Sequence, residues 1–292
     1  GATSLKMPTL LVTGATGRVG SHFARRAVEE GYSVRALVRQ GSDRSVLDGV
    51  PVEFVEGDLA APESLTAAVQ HAEVVVHSAA HVGDWGPAET YRRANVFALE
   101  HMLTDAQRSG NLQRWIQISS LGVYPARHHH GTDETVQPDI AGLDGYTQTK
   151  AEAEVVLARH QQEHGLPAVI LRPGFIYGAG DRHALPRIVS KLKAGKMKFV
   201  GRGDRLLNNT YVGNLVDAIL LAIRKDEALG ETFNIRDLRL VTRQEFINTI
   251  ADVLGAPHPG HVRDWLARML VRPVEAFARM RGDASPPLLT GA

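Results

Sequence analysis

Tyr146 and Lys150 are separated by Thr147-Gln148-Thr149. On a helix, that spacing stacks a phenol and an ammonium one above the other. An ordinary tyrosine ionises near pH 10, too high for an efficient base at neutral pH, and a neighbouring cation stabilises phenolate. Tyr146 can therefore give or take a proton at a carbonyl or hydroxyl, with Lys150 tuning it. Ser119-Ser120 closes the short apolar run Ile116-Gln117-Ile118 and offers hydroxyls to the same oxygen. Taken alone, such a pair reads equally well as a solvated surface contact of little energetic weight. What surrounds it decides.

A second group of residues suits an anion. Gly14-Ala15-Thr16-Gly17-Arg18-Val19-Gly20 falls between a strand pattern, Leu10 to Thr13, and a helical pattern, Val19 to Glu30, closed by Gly31. Glycines there permit a tight turn and close approach of a pyrophosphate, and the helix N-terminus presents N–H groups to it. The spacing is G-x-x-G-x-x-G, and its place between strand and helix gives the pattern its weight. Gly14, Thr16, Gly17, Arg18 and Val19 are the expected dinucleotide contacts. At the end of the next strand, Val34 to Val38, an acid would favour NAD. Arg39 stands there instead, 39 − 14 = 25 residues past the first glycine, with Arg35 nearby. A guanidinium pairs well with a 2′-phosphate, so the expected cofactor is NADP, with NAD as the alternative. Arg18 can add to the same phosphate. Asp58-Leu59, after a third strand at Val52 to Val55, is placed to reach the adenine edge, although Gly57-Asp58 reads equally as a turn. His77-Ser78-Ala79-Ala80 ends a fourth strand, Val74 to His77, and its small residues let backbone lie against the cofactor. Ala79, Ala80 and the following His81 are counted with the site, and Lys150 would also bind the nicotinamide ribose.

These residues need elements to hold them. Further strands are expected at Ile116 to Ile118 and Val169 to Leu171, with helices at Glu63–Gln70, Glu89–Gln107 and Thr147–His164. Strands alternating with helices imply a doubly wound parallel sheet of the Rossmann type, covered on both faces. Ligands of such sheets bind at the carboxyl ends of the strands, where the glycine loop and the serines both fall. The expected organisation is a dinucleotide-binding core over 7–172 and a mainly substrate-binding part over 173–292, interleaved with the core. Beyond Arg172 helices are expected near Leu185–Lys193, at Val212–Ile223 and at Thr242–Leu254, the last opening on the capping box Thr242-Arg243-Gln244-Glu245. Trp265, Leu266, Met269, Leu270, Val274, Phe277 and Met280 form an apolar stripe interrupted by Pro273. It reads as a packed lid or core helix, or as a substrate- or membrane-facing surface.

Composition narrows the class. The 292 residues carry 33 Lys and Arg against 32 Asp and Glu, a net charge of +1, so no basic field gathers nucleic acid or anionic lipid. With no cysteine, disulfides, thiolate catalysis and cysteine-held metals are excluded, and a reducing, cytoplasmic setting is expected. No apolar run approaches the ~20 residues of a membrane span. Gly1 to Lys6 reads as a cloning remnant, with Met7 the natural start. His128-His129-His130 sits in a Gly/Pro-flanked loop without spaced partners and reads as a solvated rim, so no metal is expected. Asp133-Glu134 reads as a loop acid pair.

Taken together, the residues resemble the extended short-chain dehydrogenase/reductases, from about Leu10 to about Asn234. The resemblance rests on the glycine loop, Tyr146/Lys150, His77-Ser78-Ala79-Ala80, Asn95-Val96, Ser119-Ser120 with Val123-Tyr124, Leu171 to Gly178, and Thr210 to Ala218. It implies that Ser120, rather than Ser119, is the active-site serine. It also implies that Asn95 supports a proton relay through Lys150, and that Pro173, Gly174 and Ile176 lie under the nicotinamide. His81 to Pro87 and Arg172 to Asp181 look most like the 3β-hydroxysteroid/sterol dehydrogenase branch, which includes reductases of 2-alkyl-3-oxoalkanoic acids. The implied reaction is hydride transfer between nicotinamide and a secondary alcohol or ketone on an apolar body. The resemblance further implies a homodimer through the helices Glu89–Gln107 and Thr147–His164. Two departures stand out: Arg18 replaces a frequent aromatic residue, and Arg39 replaces an acid. The chain also stops at Ala292, where relatives usually continue with another strand and helix, so either this is a short version or a final segment is missing. Two rivals share the fold. A nucleotide-sugar epimerase would use Arg172 and Arg205 on a diphosphate, though both could pair with local carboxylates. A non-catalytic dinucleotide sensor would generally lack the Tyr–Lys pair. A sugar 4,6-dehydratase is disfavoured, because Ser120-Leu121-Gly122 lacks the Asp-Glu pair of those enzymes.

Overall fold

The computed structural model describes residues 7–80, 87–125, 131–141, 144–263 and 265. These described residues fall into two units. The first takes in those up to residue 80, those within Pro87–Pro173, and Val212–Ile235; the second takes in Gly174–Tyr211 and the described residues after 235.

The first unit is built on seven parallel strands. In chain order it contains β1 (Thr9–Thr13), α1 (Arg18–Glu29), β2 (Ser33–Val38), β3 (Glu53–Glu56), α2 (Thr66–Val69), β4 (Val74–His77), α3 (Ala88–Arg92), α4 (Ala98–Ser109), β5 (Arg114–Ile118), α5 (Gly145–His164) and β6 (Ala168–Pro173), joined later by α7 (Val212–Arg224) and β10 (Thr232–Ile235). The strand order is β10-β6-β5-β4-β1-β2-β3, and each neighbouring pair is parallel. β4, β5 and β6 are buried at every residue, which is why apolar residues stand at consecutive positions in them, 74–76, 115–116 and 168–171, rather than alternating with exposed polar ones. Trp115, Leu99, Met102, Leu103 and Leu157 fill the core on one face of the sheet, and helix α7 lies against α1. The order reverses between β1 and β4, so the loops leaving these two strands diverge and open a crevice at their carboxyl ends.

The second unit contains β7 (Phe175–Tyr177), α6 (Ala184–Lys193), β8 (Lys198–Val200), β9 (Asn209–Tyr211), α8 (Arg243–Leu254) and β11 (Gly260–Val262). β7 pairs with β9 and β8 with β11, both parallel, and its small core gathers Leu192, Phe199, Ile247 and Ala251. Its four strands have three residues each, too short to announce themselves by periodicity. Thr242 caps α8 by accepting from the Glu245 amide, but the expected reciprocal contact is replaced: the Glu245 carboxylate takes Arg239 at 2.5 Å.

Three further differences bear on the site. The helix expected from Thr147 starts at Gly145, because Asp144 caps it: its carboxylate accepts the Thr147 amide at 2.8 Å while the Thr147 hydroxyl accepts the Asp144 amide. The helix expected over Glu89–Gln107 is interrupted by one π-helical turn at Arg93–Phe97, which carries Asn95. The helix expected over Glu63–Gln70 is a 3-10 turn, Pro62–Leu65, followed by a single α-turn. Among the described residues, no helix is long and apolar enough to cross a membrane. The stripe residues Leu266 to Met280, the histidines 128–130 and His81 lie outside the described residues.

Candidate active site

The glycine loop occupies the crevice edge. Gly14 has φ +66°, a region that favours glycine, and a Cβ there would meet the Ala79 amide and Ser78 Oγ at 2.9 Å. Gly17 donates to the Gly14 carbonyl at 2.9 Å, closing the turn. At Gly20, inside α1, a Cβ would fall 2.1 Å from that carbonyl oxygen. At Gly14 and Gly20 the missing side chain therefore has a packing reason, while at Gly17 a Cβ would sit 3.2 Å from the Gly14 carbonyl, a tighter fit than most. Thr16 is half-buried, Gly17 exposed, and Arg18 and Val19 open α1 half-buried. The loop after β4 is tied to the same place: Thr13 Oγ1 accepts the Ala79 amide at 3.1 Å, Ser78 Oγ donates to the Thr13 carbonyl at 2.7 Å, and Thr13 Oγ1 meets His77 Nδ1 at 2.8 Å. Ala79 and Ala80 are half-buried beside this joint. The geometry suits a dinucleotide phosphate: backbone amides at a helix start, and beside them, just past the end of β4, the methyl side chains of Ala79 and Ala80.

Arg39 follows β2 and is exposed, its guanidinium forming no ion pair among the described residues, so it is available to a phosphate. Arg35 is not. It turns away, donating to the Ala68 carbonyl at 2.9 Å and lying 3.6 Å from Glu53. Asp58 forms the simple turn left open by its sequence: its carboxylate accepts the Ala60 amide at 2.9 Å, while Leu59 packs on the core.

The proton-handling residues stand on α5 and at the end of β5. Tyr146 lies in the first turn of α5, close to the positive end of the helix dipole, which favours phenolate. Lys150 Nζ donates to the Ile118 carbonyl at 2.7 Å and lies 5.7 Å from the centre of the Tyr146 ring. Burial draws the Lys150 ammonium down to about 8, opposed by the Glu154 carboxylate. The phenol, however, is not lowered as the spacing suggests. Burial, with Asp144 second, pushes Tyr146 up to about 12. His77, fully buried on β4 against Trp115, is held down to about 3, by burial first and by the Lys150 charge second, so it is neutral at pH 7.

The two serines part company. Ser119 is buried and donates to Glu154 Oε1 at 2.5 Å, which removes it from any substrate. Ser120 is partly exposed and caps a 3-10 turn, Leu121–Val123, its Oγ accepting the Gly122 amide at 3.0 Å. That turn packs on the first turn of α5, where a Cβ on Gly122 would meet Thr147 Cγ2 at 3.0 Å. Asn95 is buried and donates to Thr149 Oγ1 at 3.0 Å, so it touches α5 between Tyr146 and Lys150. Pro173 ends β6, buried in the first unit. In the second unit, Ile176 pairs with Thr210, and Gly174 is glycine because a Cβ would strike the Asn208 carbonyl at 1.8 Å.

Arg172 is also spoken for. It is buried and makes a two-pronged ion pair with Glu154, at 3.0 and 2.6 Å, and its third nitrogen reaches the Tyr124 hydroxyl at 2.8 Å. The local-carboxylate alternative for Arg172 is the one the structure realises, whereas Arg205 is exposed. Glu154 was not singled out by spacing. Its only sequence signal is that it continues the Tyr146, Lys150 series by another four residues on the same helix face.

Comparisons with known proteins bear on the family of the chain. The model of the NAD dependent epimerase/dehydratase family matches residues 10–235. A 2-alkyl-3-oxoalkanoate reductase of Stenotrophomonas maltophilia is 32% identical over 260 residues, covering 85% of this chain and 76% of that protein. A decarboxylating sterol-4-alpha-carboxylate 3-dehydrogenase of Candida albicans is 31% identical over 250 residues, covering 80% and 71%. Among solved structures, a UDP-glucuronic acid 4-epimerase from Bacillus cereus, in complex with UDP-glucuronic acid and NAD, superposes with a TM-score of 0.77 at 22% identity, covering 87% of this chain and 86% of that one. At that identity the likeness is one of fold.

Proposed function

The chain belongs to the NAD dependent epimerase/dehydratase family, and from that premise we propose that it moves a hydride between NADP(H) and a secondary alcohol or ketone carried on an apolar body. It is an NAD(P)-dependent oxidoreductase acting on CH–OH. The observation that carries the mechanism is the placement of Tyr146 and Lys150 one turn apart on α5, with Lys150 anchored to Ile118 immediately before Ser119-Ser120.

Gly14, Thr16, Gly17, Arg18 and Val19 would hold the pyrophosphate, Ala79, Ala80 and His81 would line the dinucleotide, and Asp58 and Leu59 would face the adenine. Arg39 would take the 2′-phosphate, which is the reason for preferring NADP over NAD. Pro173, Gly174 and Ile176 would lie under the nicotinamide, and Asn95 would steady the relay at Lys150. When bound, the nicotinamide supplies or accepts hydride at its C4. Ser120 holds the substrate oxygen by a hydrogen bond. In the reducing direction Tyr146 gives that oxygen its proton, and a phenol held at about 12 carries this proton throughout the physiological range. In the oxidising direction Tyr146 must first lose its proton, helped by the Lys150 ammonium and the α5 N-terminus, so oxidation gains as pH rises.

The apolar part of the substrate is supported by the named activities of the two relatives. The epimerase alternative loses Arg172 as a diphosphate ligand, because that guanidinium is committed to Glu154. We also place the enzyme in the cytoplasm, in keeping with a cysteine-free sequence, and as a homodimer through α5 and the stretch from α3 to α4, where Val155 on α5 and Phe97 in the π-helical turn are exposed.

The test is absorbance at the reduced-nicotinamide band, with NADP+ and NAD+ each offered against hydroxysteroids, 2-alkyl-3-hydroxy acids and a UDP-sugar. Net reduced cofactor with an apolar alcohol, faster with NADP+, is the expected result. Cofactor binding without accumulation on any alcohol would point to an internally recycling epimerase or a sensor. Light scattering at micromolar concentration reads the dimer.

A further inference from the structure

Tyr146, Lys150 and Glu154 recur every four residues along one face of α5. The first two serve the reaction proposed above. The third is a carboxylate that is only 5% exposed, with both oxygens engaged. Burying an ion pair is unfavourable unless its geometry is good and its remaining bonds are made, and breaking one side is more costly still. Such a pair beside a reacting centre asks for a reason.

Its contacts supply one. Helix α5 holds the end of β5 at two successive residues: Lys150 binds the Ile118 carbonyl at 2.7 Å, and Glu154 binds the Ser119 hydroxyl at 2.5 Å. The next residue is Ser120. Its turn ends at Tyr124, whose hydroxyl accepts from Arg172 at 2.8 Å and donates to Asn234 Oδ1 on β10 at 2.8 Å. The segment from Ser119 to Tyr124 is therefore tethered at its start to Glu154 and at its end to Arg172, and the two tethers are joined to each other by the ion pair.

We propose that Glu154 and Arg172 are positioning residues: their buried pair fixes both ends of the Ser119–Tyr124 turn, so that Ser120 stands in register with Tyr146, and the carboxylate is the fixed counter-charge to the Lys150 ammonium. This rests on the hydride-transfer reading for Ser120 and Tyr146, but the charge relation to Lys150 does not. Among the described residues, the other titratable groups recorded beside that ammonium are Tyr146 on its own helix and His77 on β4, which is neutral. Among the same residues, the Glu154 carboxylate, itself paired with Arg172 on β6, is the anion that opposes the effect of burial on the Lys150 proton.

Three variants separate positioning from bulk stability. Glu154→Gln keeps the shape and a hydrogen-bonding oxygen while removing the charge. Ser119→Ala cuts one tether and leaves the charge, and Ser119→Thr restores the hydroxyl. The chain has seven lysines, so Lys150 can be followed by NMR in protein labelled with 13C at lysine Cε, its signal assigned with Lys150→Met. In Glu154→Gln the Lys150 midpoint is expected to fall by about one pH unit or more, and turnover by roughly tenfold, with dinucleotide affinity by fluorescence unchanged. In Ser119→Ala turnover should fall severalfold with the Lys150 midpoint unmoved, and Ser119→Thr should recover it. An unmoved Lys150 midpoint in Glu154→Gln would overturn the counter-charge role. Turnover per folded molecule equal to wild type in both Glu154→Gln and Ser119→Ala would overturn the positioning role. If Glu154→Gln does not fold, the Ser119 pair still decides the positioning role. A wild-type protein inactive on every alcohol would sink the functional reading and the positioning role with it, while the Lys150 titration would still judge the counter-charge.

Discussion

The glycine loop and the head of α5 solve different problems with opposite means. The loop works by leaving atoms out: a Cβ at Gly14 or Gly20 would overlap the backbone or the Ser78 hydroxyl, and a backbone bond from Gly17 to Gly14 closes the turn. The head of α5 works by putting ionisable atoms where they are poorly solvated. Lys150, Glu154 and His77 are all nearly or fully buried, and each is answered by a specific partner. The first region is a shape and the second a set of charges. They should therefore fail separately, and mutations should tell them apart.

The largest effect is expected at the chemistry. Tyr146→Phe removes one oxygen from the α5 site and nothing from the loop. Turnover should fall about a hundredfold or more, with dinucleotide affinity nearly unchanged. Steady-state kinetics beside a fluorescence titration would check this, and retained turnover would dismantle the mechanism. Gly20→Ala is the reciprocal cut. Helix propensity alone would have alanine stabilise α1 by about 1 kcal/mol. The 2.1 Å approach to the Gly14 carbonyl reverses the sign. A net loss of roughly 1–3 kcal/mol in denaturant melts is expected, together with weakened dinucleotide binding.

His77 joins the regions, bonding Thr13 at the loop and lying within the field of Lys150. Its proton affinity is lower folded, at about 3, than unfolded, near 6.5. The unfolded chain thus binds the extra proton between those values. Stability from this group is complete above about pH 6.5 and declines as pH falls towards 3, by at most about 1.4 kcal/mol per pH unit. His77→Gln should flatten that part of a stability-against-pH curve, and an unaltered slope would contradict the assignment. The smallest effect belongs to the exposed Arg39 at the rim of the loop. Arg39→Asp should move the NADP-over-NAD preference by roughly tenfold, the worth of one charge-assisted contact, and leave kcat for the better cofactor near wild type.

The same contrast explains what was legible in the residues beforehand. Gly14, Gly17 and Gly20 lie within seven positions, and Tyr146 and Lys150 within one helical turn, so local spacing exposes them. β4 and β6 were legible because burial on both faces makes 74–76 and 168–171 continuous apolar runs, whereas the edge strand β10, TFNI and only partly buried, carries no such run and goes unread in the sequence. The Glu154–Arg172 pair joins a helix to the strand that follows it, and Thr13–His77 spans two strands brought together only by the sheet. No local pattern encodes such contacts. Likewise Ser119 and Ser120 are equivalent as neighbours in a chain. They differ only because extended backbone sends alternate side chains to opposite sides, one into Glu154 and one to the open face. Arg35, noted in the sequence only as a neighbour of Arg39, goes elsewhere: it donates to the Ala68 carbonyl and lies near Glu53.

The path of the chain between the two units has a consequence for anyone wishing to rebuild this protein. The polypeptide leaves the first unit after Pro173, returns for Val212–Ile235, and leaves again. That returning passage supplies α7 and the edge strand β10, and with it Asn234, the hydrogen-bond acceptor for Tyr124. A fragment cut at residue 172 would lack a strand of its own sheet and one anchor of the turn that bears Ser120. Among the described residues, grafting a different second unit onto this core therefore means replacing two separate stretches, 174–211 and 236–263, while the passage between them stays. What is one compact module in space is interrupted along the gene.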